Sequence, residues 1–239
     1  MLKLIKADLF KTIKLKSFNL IFLIPIIMSF IGFINIYRGL VPTDDIWNSL
    51  YNQTMILYCG LALPLSLSIT IGLQWKIEYD KNNILNLNST PQNLSSIYFS
   101  KLLSTLCITF VNILILIILT ISFAYILNPS NPFKPYLIYG PILAFCCSIS
   151  FICFQHLLSI LSKNFIFSIG IGILLSLFGF ILSGTSLGVL VPNDYILYGS
   201  LLNTPFQHFQ NSLFLIIIIP LSSVILTYLG NLIFKKKDN

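Results

Sequence analysis

The chain has 239 residues, 56% of them hydrophobic and only 9% charged, with a mean hydropathy of +0.90 and a formal net charge of +7. A water-soluble domain has too little interior to hide that much apolar side chain, so the ordinary globular classes are excluded and the bilayer is the natural solvent. The basic residues gather in the short stretches between apolar runs, a distribution that reads as membrane topology and calls for no nucleic acid.

Residues 1–16, "MLKLIKADLFKTIKLK", are too polar to span a membrane. On a helix, Leu2, Ile5, Leu9 and Ile13 fall within an arc of about 80°, with Lys3, Lys11 and Lys14 across from them and Lys6 and Lys16 placed to snorkel. An amphipathic helix lying in the headgroup plane is predicted, its lysines drawing anionic membrane lipid.

Six runs then follow without any Asp, Glu, Lys or Arg: about 18–37, 54–73, 102–127, 136–161, 165–184 and 212–234. Each meets the about 20 residues needed to cross roughly 30 Å of hydrocarbon. They are apolar on every face and lack a period of two, so they read as spanning helices and not as strands of a barrel. No small-x-small cleavage site follows the first run, which is therefore read as a retained helix. The fifth continues to residue 191, but small residues at Ser183 and Gly184 mark its exit.

An even count puts both termini on one side. With that side as cytoplasm, 12 of the 14 basic residues lie inside and only Arg38 and Lys134 outside. The predicted fold class is thus all-α: a polytopic membrane protein with six transmembrane helices, an N-terminal interfacial helix and both termini cytoplasmic. Without an internal repeat or a linker, residues 1–239 read as a single membrane domain.

Pro25, Pro64, Pro141 and Pro220 fall inside runs, where kinks are expected. The segment 184–211 is predicted to carry short helices dipping into the outer interface, with Tyr195, Tyr198 and Phe206 at headgroup level. The five cysteines, Cys59, Cys107, Cys146, Cys147 and Cys153, all lie in runs and behave as small apolar residues.

No phosphate-cradling loop, H-E-x-x-H or Ser/His/Asp spacing occurs, so catalytic, cofactor-binding and metal-ligating residues are all expected to be absent. His156, next to Gln155, reads as a polar link between helices, and His208 as a solvated loop residue. The runs hold no charge, which argues against a carboxylate-driven pump. If the protein moves something uphill, its energy must come from elsewhere.

The stretch 74–101 is far longer than the usual helix connection and begins "WKIEYDKNN", followed by "ILNLNSTP". Glu78, Asp80 and Lys81 are predicted to form a charged turn facing water, Ile84 and Leu85 an apolar tip, and Pro91 a stop, with Lys101 marking the return to the membrane. Such a short helix suits a cleft on a soluble partner.

With these features the whole chain resembles the permease subunit of a type-2 ABC exporter. The resemblance rests on the interfacial helix, six spans with both ends inside, and a first cytoplasmic loop of the form Glu78, Ile84 and Leu85, Thr90 and Pro91, Lys101. It implies that the loop docks on a separate ABC ATPase subunit, which binds the ATP, and that a second permease subunit, of the same or a different chain, completes the transporter. In size and in this loop the chain is most similar to lantibiotic-immunity permeases, which implies a lantibiotic or other amphipathic peptide as substrate. The rival readings are a type-2 permease for another drug, lipid or peptide, and a membrane scaffold without transport.

Overall fold

The computed structural model describes residues 2–14, 18–41, 45–79, 93–128, 130–162, 164–202, 204–205 and 212–236. These are helical, with no strand among the described residues. In chain order the elements are α1 (Leu2–Ile13), α2 (Phe18–Tyr37), α3 (Ile46–Leu57), a π turn (Tyr58–Ala62), α4 (Leu63–Tyr79), α5 (Leu94–Leu127), α6 (Tyr136–Ser162), α7 (Phe165–Leu182), a 3-10 turn (Ser186–Leu190), α8 (Asp194–Leu201) and α9 (Ser212–Lys236).

Local chemistry sets the boundaries. α2 stops at Tyr37, just before Gly39, whose φ of +66° is the left-handed conformation that glycine adopts without strain, and Leu40 N–H returns to Asn35 O at 2.9 Å. Asp45 caps α3 by accepting from the N–H groups of Trp47 and Asn48 at 3.1 and 3.3 Å. Asn93 does the same for Ser95 N–H at the start of α5, and Asn164 for Ile166 N–H at the start of α7.

α3, the π turn and α4 form one continuous helical run, Ile46–Tyr79, of 34 residues. It is longer at both ends than the expected span 54–73. The preceding stretch "IWNSLYNQ" looks polar, yet Trp47, Leu50 and Tyr51 on it are fully buried. The π turn falls just before Pro64, whose ring would clash with the carbonyl four residues back in a regular helix. Leu63 N–H reaches Tyr58 O, five residues back, so the wider turn absorbs the proline within the run. Pro25, Pro141 and Pro220 lie inside α2, α6 and α9.

Among the described residues five helices are long and apolar enough to cross a membrane: Ile46–Tyr79, Leu94–Leu127, Tyr136–Ser162, Phe165–Leu182 and, within α9, Ile217–Lys236. Within α2, Ile21–Tyr37 is a shorter apolar helix. α6 occupies the centre, packed against α4, α5, α7, α8 and α9. α4 meets α7 closely: a Cβ at Gly72 would stand 2.3 Å from Ile169 Cγ1, and one at Gly172 would stand 2.4 Å from Ser68 Oγ. Small residues thus let two apolar helices approach where no hydrophobic force between them exists in lipid.

One expectation is corrected. The 3-10 turn and α8 do occupy 184–202 as short helices, but Tyr195 and Tyr198 are buried against Cys147 of α6, not held at headgroup level. Phe206 lies outside the described residues. On α1, Leu2, Phe10 and Ile13 are exposed while Asp8 and Thr12 are buried. The helix therefore turns a polar face to the bundle, because that face has charged and hydroxyl partners there.

Candidate functional site

The segment 80–92, which carries Asp80, Lys81, Ile84, Leu85 and Pro91, lies outside the described residues. Its two roots are described, and they converge. Glu78, on the last turn of α4, is 3% exposed, and Lys101, two turns into α5, is 2% exposed. Glu78 does not face water as expected from its polar surroundings in sequence, and Lys101 lies inside α5, which begins at Leu94.

Lys101 Nζ donates to Glu78 Oε1 at 2.9 Å and lies 3.5 Å from Asp8 Oδ1. Lys11 Nζ, half-exposed on α1, reaches the same Glu78 oxygen at 3.1 Å. Ser100 Oγ donates to Asp8 Oδ2. The cluster holds two acids and two cations, so it is neutral as a whole, and it joins α1, α4 and α5. Buried ion pairs of this kind contribute little net stability over apolar packing, since desolvation offsets attraction. What they enforce is geometry, because any displacement strands a charge.

A directional chain of hydrogen bonds continues from it. Trp75 Nε1 donates to His156 Nδ1 at 2.9 Å, which fixes the imidazole as neutral with its proton on Nε2. His156 Nε2 then faces Thr105 Oγ1 at 3.2 Å, and Thr105 Oγ1 donates to Gln74 Oε1 at 2.9 Å. The Gln74 amide donates to Ser104 Oγ and Thr12 Oγ1, each at 3.3 Å. Thr12 in turn bonds Asp8 O at 2.7 Å. His156 does link helices, and the network runs through α6, α4, α5 and α1. Phe234, near the end of α9, closes against Trp75 with ring centroids 5.3 Å apart.

Among the described residues no group of three His, Cys, Asp or Glu side chains is placed to hold a metal. The network's chemistry is mechanical: it fastens four helices where the 80–92 segment attaches. Asp8 and Gln74 were not singled out by sequence reasoning, and Lys11 was read only as part of the polar face of α1. The available signals were Asp8 as the lone acid in a lysine-rich helix, and Gln74 and Thr105 as polar residues set among apolar neighbours.

The profile of the ABC-2 family transporter protein matches residues 4–179, well over half of the chain. The chain belongs to this family. ABC-2 proteins are the transmembrane component of ABC transporters, which implies an ABC ATPase partner for this permease, and the matched region takes in the whole ion cluster. Together with the apolar helices it makes the chain a multi-pass protein of the bacterial cytoplasmic membrane. No curated protein matches it.

Proposed function

We propose that this ABC-2 protein is the permease subunit of an ATP-driven exporter that expels a lantibiotic peptide from the membrane and so confers self-immunity. In this reading the single domain 1–239 crosses six times with both termini cytoplasmic, and ATP is hydrolysed on a separate subunit. A second permease, the same chain or another, completes the transporter.

Asp80, Lys81, Ile84, Leu85 and Pro91 form the segment that docks on the ATPase, with Glu78 anchoring its root. The observation that carries this is the cluster of buried Asp8, Lys101 and Glu78 with half-exposed Lys11. A flexible tether would transmit no force, whereas a root pinned by ion pairs to three helices passes a push on the segment into the bundle. The lantibiotic cargo is supported by the likeness of the 72–103 stretch to immunity permeases.

The docking role is tested by Ile84→Asp: the variant should lose co-purification with the ATPase, and retention of the complex would refute it. The cargo is tested by expressing the chain with its ATPase in sensitive cells. Protection against lantibiotics but not unrelated drugs is expected, and equal sensitivity with and without the pair rejects immunity.

One observation favours a second cargo class. A cleft of about 280 Å³, lined by Leu143, Cys146, Cys147, Leu202, Ile219 and Pro220, opens between α6, α8 and α9. It has room for an acyl segment or a small apolar drug. Protection against such drugs in place of lantibiotics would select that reading.

A further inference from the structure

At the end of the bundle away from the ion cluster, all eight residues of α8 are buried, and its first side chain, Asp194, is 1% exposed. Asn193 Nδ2 donates to Asp194 Oδ1 at 3.2 Å. Asp194 Oδ2 and Asn193 Oδ1, both enclosed, have no hydrogen-bond partner among the described residues. Two glycines make room for them. A Cβ at Gly179 of α7 would stand 2.2 Å from Asn193 Nδ2 and 2.4 Å from Asp194 Oδ1. A Cβ at Gly188 of the 3-10 turn would stand 2.7 Å from Asp194 Oδ2 and 2.8 Å from Leu182 O.

The surroundings offer acceptors and little to neutralise an anion. On α8 the titratable neighbours are Tyr195 and Tyr198, the latter donating to Ser183 O at 3.1 Å. The elements packed around it add Cys147 on α6, Cys59 and Tyr58 on the π turn and Tyr51 on α3, all neutral near pH 7. α7 and the 3-10 turn carry no titratable side chain, and the charges of α9, Lys235 and Lys236, are at its far end. Among the described residues no ion pair reaches Asp194.

We propose that Asp194 is a proton-binding site: its carboxylic acid form docks α8 into the cradle of Gly179 and Gly188, and loss of that proton releases the 3-10 turn and α8 from α7. A buried carboxylate without a partner is strongly disfavoured, whereas the neutral acid supplies the one O–H donor that this set of oxygens lacks. Burial pushes the carboxyl up to about 7 from its ordinary 3.8. The docked form therefore holds its proton to higher pH than a water-exposed form does. Docking is fully favoured below the ordinary value, and its advantage falls about tenfold per pH unit between about 4 and 7. None of this depends on the ATPase or the cargo.

The test is hydrogen exchange of the α8 amides in the full chain in lipid nanodiscs, corrected for intrinsic rates. From pH 5 to pH 7 their protection should fall by up to about 100-fold, while that of the α6 amides holds. Asp194→Asn should remove the slope. Infrared spectra of the wild type should show a carboxylic acid C=O band at pH 5 that fades by pH 8; this reading stands alone if the variant does not fold. A flat wild-type exchange profile, a missing band at pH 5, or protection that follows Na⁺ or K⁺ concentration at fixed pH would overturn the proposal, the last in favour of a metal cation.

Discussion

Lys101 shows how much one side chain can fix. It is the buried cation against two buried acids, so Lys101→Met leaves Glu78 and Asp8 facing each other with only half-exposed Lys11 nearby. A loss of about 3–5 kcal/mol in stability is expected, read by denaturant unfolding in micelles. Lys11 is 46% exposed at its side chain, and Lys11→Ala should change stability by under about 1 kcal/mol in the same measurement. Equal effects would mean that the cluster is wet. Sequence reasoning flagged Glu78 but put it in water, for a physical reason. Hydropathy marks where the apolar run stops, not where the helix stops, and Glu78 and Lys101 find each other only across the intervening segment. Asp8, 92 positions before Ser100, carries no local sign of its partner.

Helix ends obey their own chemistry, and Asp45 is the clearest case. Burial opposes its ionisation, but hydrogen bonds from the Asn48 and Trp47 N–H groups and the Lys134 ammonium outweigh that and hold the carboxyl below the usual carboxylate range. Lys134 Nζ lies 3.2 Å from Asp45 Oδ2, and Asn131 Nδ2 reaches Oδ1 at 3.2 Å, so the cap also ties the 128–136 connection to α3. A depressed pKa contributes stability above the unfolded value that is lost as pH falls through the folded one. Asp45→Ala should cost about 1 kcal/mol at pH 7, and the difference from wild type should vanish in acid below the ordinary carboxylate range, as followed by melting temperature against pH. Close packing gives a second element-scale prediction. Gly172→Leu drives a side chain into Ser68 and should separate α4 from α7, with a loss of about 1–3 kcal/mol. The apolar runs were legible because composition alone marks them. Their ends were not, since capping and long-range burial extend α3 back to Ile46 and α5 to Leu94 through residues that look polar one at a time.

The molecule as a whole leaves broad apolar faces on α7 and α9, with Phe167, Phe178, Ile181, Val224 and Tyr228 among the exposed residues. Lipid or a second permease must cover them. The proposed topology is tested in a cysteine-free background: Ser130→Cys should react with an impermeant thiol reagent on intact cells, and Lys235→Cys only after permeabilisation. Equal labelling of both would reject it. The class of protein was readable from composition and the family from a few spaced residues, whereas the cluster that anchors the segment needed three dimensions. The 34-residue length of both Ile46–Tyr79 and Leu94–Leu127 has a further consequence. At 1.5 Å per residue each rod is about 51 Å long, about 20 Å more than the hydrocarbon thickness. In sequence, residues 80–92 connect the ends of these two rods. A tilt of about 5° at the opposite end sweeps a tip sideways by about 4 Å, so small angular changes and large excursions are two readings of the same motion.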